Sequence, residues 1–381
     1  MSNEALNTAP AKLIQVSALR TTAPPLWEQL HQTAMVLVAV RTGQSASAAL
    51  GQISLASRPG IQALVYHVLR WLGRAEALRR KLAPRTPPPL ADALLCTALA
   101  LAWQEEHALY EPFTLVDQAV EAAKSCVATR AQARFINACL RRFLRERNAL
   151  VDATGQEPMA KWNHPRWWID RLKHDYPRCW QDILAANNAQ APMILRVNCM
   201  RCDPDHYLEL LHAKDIAAHR QGEVAIVLRH AVPVQALPRF AQGWVSVQDA
   251  AAQIAVPLLL GGLQSTGPLH VLDACAAPGG KTAHLLEWAG TAPELPIKVT
   301  ALDIDPARCE RIHQNLERLG LHAQVLAADA RAPAQWWHQQ CAGTLFDAIL
   351  LDAPCTASGI VRRRPDVRWL RRESDIAQLA I

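Results

Sequence analysis

No stretch of the sequence is apolar for long enough to cross a bilayer, and its opening, Met1 to Ser17, has no basic segment followed by an apolar core. The first absence argues against a membrane-spanning helix. The second leaves no secretory leader to read, so a cytoplasmic location is the default. Cysteine offers as little to a disulfide scaffold or a metal. Ten Cys stand singly along 381 residues, mostly in apolar runs such as Leu95-Cys96-Thr97 and Asn137-Ala138-Cys139-Leu140, the pattern of reduced, buried thiols. Cys199 and Cys202 form the only C-x-x-C pair. A structural zinc would need two further ligands at comparable spacing nearby, so no metal is expected. No internal repeat and no long low-complexity segment is visible.

Half of the residues are hydrophobic and 19% are charged, which suits a folded, globular chain without a disorder signature. The length predicts two or three domains, since single domains run to about 100–200 residues. A formal net charge of +6 is mildly basic and becomes informative only where Arg side chains gather.

Four regions follow. Residues 1–20 read as a flexible tail. Residues 21–150 are rich in Ala and Leu with few strand signals, and read as all-helical; Pro84 and Pro87 to Pro89 mark a loop between helices. Thr114-Leu-Val-Asp117 has the spacing of a capping box opening a helix through Lys124. A helix over Arg130 to Arg147 would align Arg130, Arg134, Arg141 and Arg145 on one side, opposite Phe135, Ile136, Cys139, Leu140 and Phe143. That cationic face is either a solvated surface or a phosphate-contacting one. Residues 151–245 read as a small mixed α/β unit: His164-Pro-Arg-Trp-Trp168 leads into a helix, and Met193 to Asn198 and Ala225 to Leu228 read as strands.

Residues 246–381 alternate short apolar runs with amphipathic helices. Leu269 to Leu272, Val299 to Leu302, Gln324 to Ala327 and Phe346 to Leu351 are the candidate strands, and the helix Pro306 to Leu319 is punctuated by Pro306 and Gly320. Such alternation predicts a Rossmann-like parallel sheet with helices on both faces.

Ligands of such sheets collect at the carboxyl ends of the strands. Acidic residues stand there in series: Asp273 opening Asp-Ala-Cys-Ala-Ala-Pro-Gly-Gly-Lys-Thr282, then Asp303, Asp329, and Asp352 opening Asp-Ala-Pro-Cys355. Gly279 and Gly280 allow a tight turn into a helix whose free amides could meet a carboxylate. Asp303 is placed for two ribose hydroxyls and Asp329 for an adenine amino group. A phosphate-binding P-loop is excluded, because its first Gly falls on Cys275, and G-x-G-x-x-G is absent from this region. Adenosine joined to an amino acid remains, which describes S-adenosyl-L-methionine. Each Asp taken alone could equally be a turn residue.

The run Val116 to Lys124 followed by Arg134 to Arg142 resembles the NusB type of helical RNA-binding domain. Asp273 to Lys281 with Leu351 to Cys355 resembles the RNA 5-methylcytosine methyltransferase family, and within it the bacterial 16S ribosomal RNA enzymes with a NusB-like amino-terminal domain. Ala186-Asn-Asn188, Leu195 to Asn198, Gly243 to Asp249 and Ser358 to Leu370 extend the match over nearly the whole chain after the tail. The resemblance implies that Cys275, Ala276, Ala277, Pro278, Gly279, Gly280 and Lys281 form the loop around the methyl donor. It puts Asp303 at the ribose, Asp329 at the adenine and Asp352 between donor and target base.

It also implies methyl transfer to C5 of a cytosine in small-subunit ribosomal RNA, through a thiol added at C6. From position alone Cys355 is the candidate catalytic thiol. In the family pattern that cysteine assists product release, and the attacking cysteine follows in a Thr-Cys motif; none follows Cys355 before Ile381. The expectation is therefore a parallel sheet incomplete at its carboxyl-terminal side, with an exposed edge, in a chain that is either a methyltransferase or a truncated, catalytically inactive RNA-binding or assembly protein. A protein methyltransferase is disfavoured by the Pro-Cys motif. Arg362, Arg363, Arg364, Arg368, Arg371 and Arg372 form a run suited to phosphate or simply to solvent.

Overall fold

The computed structural model describes residues 24–106, 108–263, 267–292, 294 and 296–379; the tail expected over residues 1–20 lies outside them. The described chain separates into two compact units. One comprises residues 24–189 with Ser358–Ala377, the other Gln190–Ala357. Residues 151–189 and 358–377, which composition groups with the α/β regions, thus pack with the helices. Among the described residues no helix is long and apolar enough to cross a membrane.

The first unit is helical: α1 (Leu26–Arg41), α2 (Ala46–Gly51), α3 (Arg58–Arg70), α4 (Leu72–Leu82), α5 (Pro89–Ala102), α6 (Pro112–Ser125), α7 (Val127–Arg130) and α8 (Ala133–Gly155), then α9 (Pro158–Trp162), α10 (Arg166–Asp175) and α11 (Trp180–Asn188). Every residue from Ala91 to Ala102 of α5 is buried. A helix apolar around its whole circumference belongs in the middle of a bundle, and α1, α4 and α6 pack around it.

Two local expectations are corrected here. Helix α6 begins at Pro112, so Thr114 lies inside its first turn and no side chain caps it; proline at the first position has no amide that needs a cap. The Arg130–Arg147 helix is interrupted, with Arg130 ending α7 and α8 starting at Ala133. The cationic face of α8 is therefore Arg134, Arg141 and Arg145, all exposed, with Ile136, Cys139, Leu140 and Phe143 buried opposite.

The second unit contains two sheets. The smaller is antiparallel, in the order β2-β3-β1-β4, from β1 (Met193–Val197), β2 (Ala218–Gln221), β3 (Ala225–Leu228) and β4 (Val245–Val247). Leu195, Val197, Ile226 and Leu228 share a core with Tyr207 and Leu211 of α12 (Pro204–His212). The larger sheet is parallel and follows α13 (Ala250–Gln253) and α14 (Ala255–Leu260). It is built as β5 (Leu269–Ala274), α15 (Gly280–Thr291), β6 (Ile297–Asp303), α16 (Pro306–Leu319), β7 (Gln324–Ala327), α17 (Trp337–Cys341) and β8 (Ala348–Leu351).

Side chains alternate between faces along a strand. On one face Leu269, Val271 and Val299 pack with Val256 and Leu260 of α14 and Leu285 of α15, and Ala301 packs with Ile312 and Leu316 of α16. On the other, Leu272, Leu302 and Leu326 pack with Trp336 and Trp337. The order is β7-β6-β5-β8, so the chain reverses its direction of growth between β5 and β8, the switch point where such sheets open a crevice. Among the described residues β8 pairs only with β5, and its Ile349 and Leu351 are exposed.

Candidate active site

Beyond the end of β5 the backbone makes the loop required to bring peptide groups close to a ligand. Cys275 has φ +62, Ala277-Pro278 is cis, and Gly279 has φ +90, a conformation that costs glycine little and other residues more. A Cβ at Gly279 would stand 3.0 Å from Ile312 Cγ2 and 3.2 Å from Ile312 Cα, so the close packing of loop on α16 also needs glycine there. Gly279 is the N-cap of α15 and brings no side chain to its first amides. Those amides suit a carboxylate, as does the positive end of the helix. Ala276 is anchored by its N–H on Leu302 O at 2.9 Å.

Asp303 ends β6 and is 1% exposed. Its Oδ2 accepts the Ala277 N–H at 3.1 Å and its Oδ1 the Asp305 N–H at 3.2 Å. Arg308 Nη1 lies 3.4 Å from Oδ1, and Nη2 donates to Ala277 O at 3.1 Å. The carboxylate thus holds the loop, with the half-exposed Arg308 over it. Asp329, past β7, is paired with the exposed Arg331, whose backbone and side chain both donate to it; those bonds hold its carboxyl below the usual range.

Asp352 follows β8, and its N–H donates to Ala274 O at 3.2 Å, beside the loop after β5. Its carboxylate pairs with Lys281 of α15. Cys355 is exposed, and its Sγ accepts the Ala357 N–H at 3.3 Å. Loop, Lys281 and Asp352 are therefore brought together, with Cys355 just along the chain. Asp303 stands on the neighbouring strand, and Asp329 one strand further out.

Two groups to which the motif reading gave no role belong to this structure. Asp273 is fully buried; Thr282 Oγ1 donates to its Oδ2 at 2.6 Å and Oδ1 has no partner. Burial pushes its carboxyl up to about 6, against the Thr282 hydrogen bond and the Lys281 charge. Arg196, 1% exposed on β1, donates to both oxygens of Glu287 on α15, to Gly280 O and to Gln248. A lone Arg inside the apolar strand Met193-Ile-Leu-Arg-Val197 was its signal, because a buried cation demands acceptors.

The run of arginines after Cys355 is largely committed within the helical unit. Arg368, on α18 (Val367–Leu370), is fully buried and donates to Asn163 O, Asn187 O and Asn188. Arg364 donates to Ser47 and to Tyr66 OH, while Trp369 and Leu370 pack on the helical core. Arg368 is closed to phosphate as it stands. A cleft of about 570 Å³, lined by His270, Lys298, Thr300, Gln324, Cys341 and Phe346, opens at the amino ends of the parallel strands, away from these motifs.

Comparison with known proteins agrees with this architecture. Residues 28–145 match the NusB family, residues 164–235 the ferredoxin-like domain of RsmF/B-like methyltransferases, and residues 263–381 the 16S rRNA methyltransferase RsmB/F family. The ribosomal RNA small subunit methyltransferase B of Vibrio vulnificus is 41% identical over 347 residues, 90% of this chain and 78% of that protein. The protein of that name from Pseudomonas syringae pv. tomato is 40% identical over 355 residues, covering 91% and 76%. The crystal structure of PH0851 shares the fold, with a TM-score of 0.67 at 21% identity over 92% of this chain and 80% of that one. With a helical domain, a small antiparallel sheet and a parallel-sheet core in the matching order, the chain belongs to the 16S rRNA methyltransferase RsmB/F family.

Proposed function

We propose that the chain transfers the methyl group of S-adenosyl-L-methionine to C5 of a cytosine in 16S ribosomal RNA, through a covalent cysteine–C6 adduct. The observation that carries this reading is the meeting of two motifs at the switch point: the glycine loop after β5 lies against Asp352 after β8, in the segment that carries an exposed thiol. The loop suits an adenosine joined to an amino acid, since α15 opens without a side-chain cap and Lys281 and Asp352 offer charges of both signs. When bound, S-adenosyl-L-methionine supplies a sulfonium methyl, the electrophile that cytosine C5 takes up.

Cytosine C5 is a poor nucleophile until a thiolate adds at C6. That C–S bond makes C5 enamine-like; after methylation a base removes the C5 proton, the C–S bond breaks and the thiol leaves. In this reading the first-turn amides of α15 and Lys281 hold the amino-acid end, Asp303 the ribose and Asp329 the adenine. Asp352 stands between donor and base, and Cys355 is the thiol this chain presents on the base side, where it either adds at C6 itself or, as in the family pattern, assists release of the methylated product. Arg308 must move off Asp303 for the ribose to reach it.

The test is incubation of the whole chain with 16S ribosomal RNA and methyl-labelled donor, followed by nucleoside analysis. Label in 5-methylcytidine is expected. Label in another nucleoside, or tight RNA binding with no transfer, overturns the reading, the latter in favour of an RNA-binding protein without catalysis. Cys355→Ala assigns the thiol: a denaturant-stable RNA–protein adduct that accumulates supports the release role, and loss of an adduct seen in the parent makes Cys355 the attacking group.

A further inference from the structure

The small antiparallel sheet grips both helices that follow the motif-bearing strands. Arg318 at the end of α16 donates to Phe240 O at 2.8 Å and Val245 O at 3.1 Å, and Arg201 donates to Leu319 O at 3.0 Å. The grip on α15 is the more specific. Arg196 uses Nε and Nη2 for a two-pronged pair with Glu287, at 2.9 and 2.8 Å, which neutralises a cation that is 1% exposed. Its remaining nitrogen, Nη1, donates to Gly280 O at 2.9 Å and to Gln248.

Gly280 and Glu287 lie two turns apart on one face of α15. A rigid, planar group bonded at both points fixes the helix along its axis and in rotation, as a flexible ammonium cannot. His284, between them on that face, is buried, and burial with the Arg196 charge pushes it down to about 3, so it stays neutral against the guanidinium. Gly280 is where the glycine loop enters the helix, and Lys281, the next residue, carries the ion pair to Asp352.

We infer that Arg196 is a positioning residue for methyl-donor binding: it sets the axial position and rotation of α15, and with them the Cys275–Lys281 loop and the direction of Lys281. This rests on the donor assignment proposed above. It also gives a joint purpose to the runs Leu195 to Asn198 and Gly243 to Asp249, whose Arg196 and Gln248 meet at the start of α15.

The test uses the full chain in two forms. Arg196→Lys keeps the charge and loses the fork; the double variant Arg196→Met with Glu287→Met keeps the packed volume without stranding a buried charge, a replacement that cores tolerate well. In both, the S-adenosyl-L-methionine Kd and KM are expected to rise at least tenfold. The KM for RNA should stay within twofold, and amide exchange across residues 276–284 should accelerate tenfold or more. A folded double variant with parental donor Kd and exchange overturns the inference, as does equal weakening of donor and RNA. Should the parent itself fail to bind the donor, the donor assignment falls, and unchanged exchange across 276–284 would still refute the positioning role.

Discussion

Lys281 Nζ and the Asp352 carboxylate form an ion pair that joins the first turn of α15 to the residue following β8. The Asp352 side chain is 60% exposed and that of Lys281 21%. A pair this wet contributes little to stability, about 0–1 kcal/mol. Asp352→Ala is therefore expected to leave the melting temperature within about 3 °C of the parent, given that about 1 kcal/mol corresponds to a few degrees in a chain of this size. Methyl transfer should fall by about two orders of magnitude or more, as the place proposed for Asp352 between donor and base requires. Calorimetric scanning alongside labelled-methyl assays makes the comparison. Equal loss of stability and activity would mean that the pair only braces the fold.

Gly279 should not accept a side chain. At φ +90, with Ile312 atoms 3.0 and 3.2 Å from where a Cβ would stand, Gly279→Ala combines backbone strain with a clash. Strained positions of this kind cost about 1–3 kcal/mol. Donor affinity is expected to drop at least tenfold, because the loop must shift to relieve both; titration calorimetry that returns an unchanged Kd would show that the loop tolerates the added methyl.

Asp273 predicts a pH dependence of stability. Its carboxyl is raised from 3.8 to about 6, chiefly by burial. The folded chain then holds a proton that the unfolded chain has released, so this contribution is present below about pH 4 and is lost as pH rises to about 6. Above that the buried carboxylate remains at a cost on the order of 3 kcal/mol, from 1.36 kcal/mol per pKa unit. Asp273→Asn can still accept from Thr282 and removes the titration. Its stability relative to the parent should climb between pH 4 and pH 6 and level off above, in denaturant unfolding at several pH values. A difference that does not vary with pH would contradict the buried, raised carboxyl.

How much of this was legible beforehand depends on the range over which a residue acts. Apolar runs placed β5, β6, β7 and β8 to within a few residues, because strand periodicity is local. Pro306 and Gly320 bounded α16 because both act through their own backbone angles, Gly320 at φ +68. Thr114 failed as a cap since Pro112 starts α6 earlier. What stayed hidden is long-range. Arg196 meets residues 52 to 91 positions away, and Arg368 meets residues 180 to 205 positions away; no local pattern reports such partners. Charge alone could not separate the exposed arginines of α8 from the buried Arg368.

The exposed arginines of α8 should behave as phosphate ligands. Arg134, Arg141 and Arg145 lie on the face away from the core. Each arginine that neutralises a phosphate should add about 0.7–0.9 to the steepness of log Kobs against log salt. Replacing all three with Gln is expected to weaken RNA binding at low salt and flatten that slope, with stability unchanged because the side chains are solvated. Filter binding across a salt series decides it: an unaltered slope would leave the face a solvated surface.

Arg368 should show the opposite pattern. It is fully buried, and its acceptors Asn163 O, Asn187 O and Asn188 carry no charge; burial brings its guanidinium down to about 9. Arg368→Met would leave these acceptors without their donor, and each buried polar group so stranded costs about 1–3 kcal/mol. The segment Ser358–Leu370 also rests on Asp366, which accepts the Ala46 N–H at 3.0 Å, and on Trp369, whose Nε1 donates to Leu69 O at 2.8 Å. Weakening this set should free the segment and speed tryptic cleavage at Arg362 and Arg363. The salt slope of RNA binding should not change, because a cation sealed in the fold displaces no counterions from a phosphate. Protease sensitivity left at the parental rate together with a flattened salt slope would reverse the assignment and make Arg368 a phosphate ligand after all.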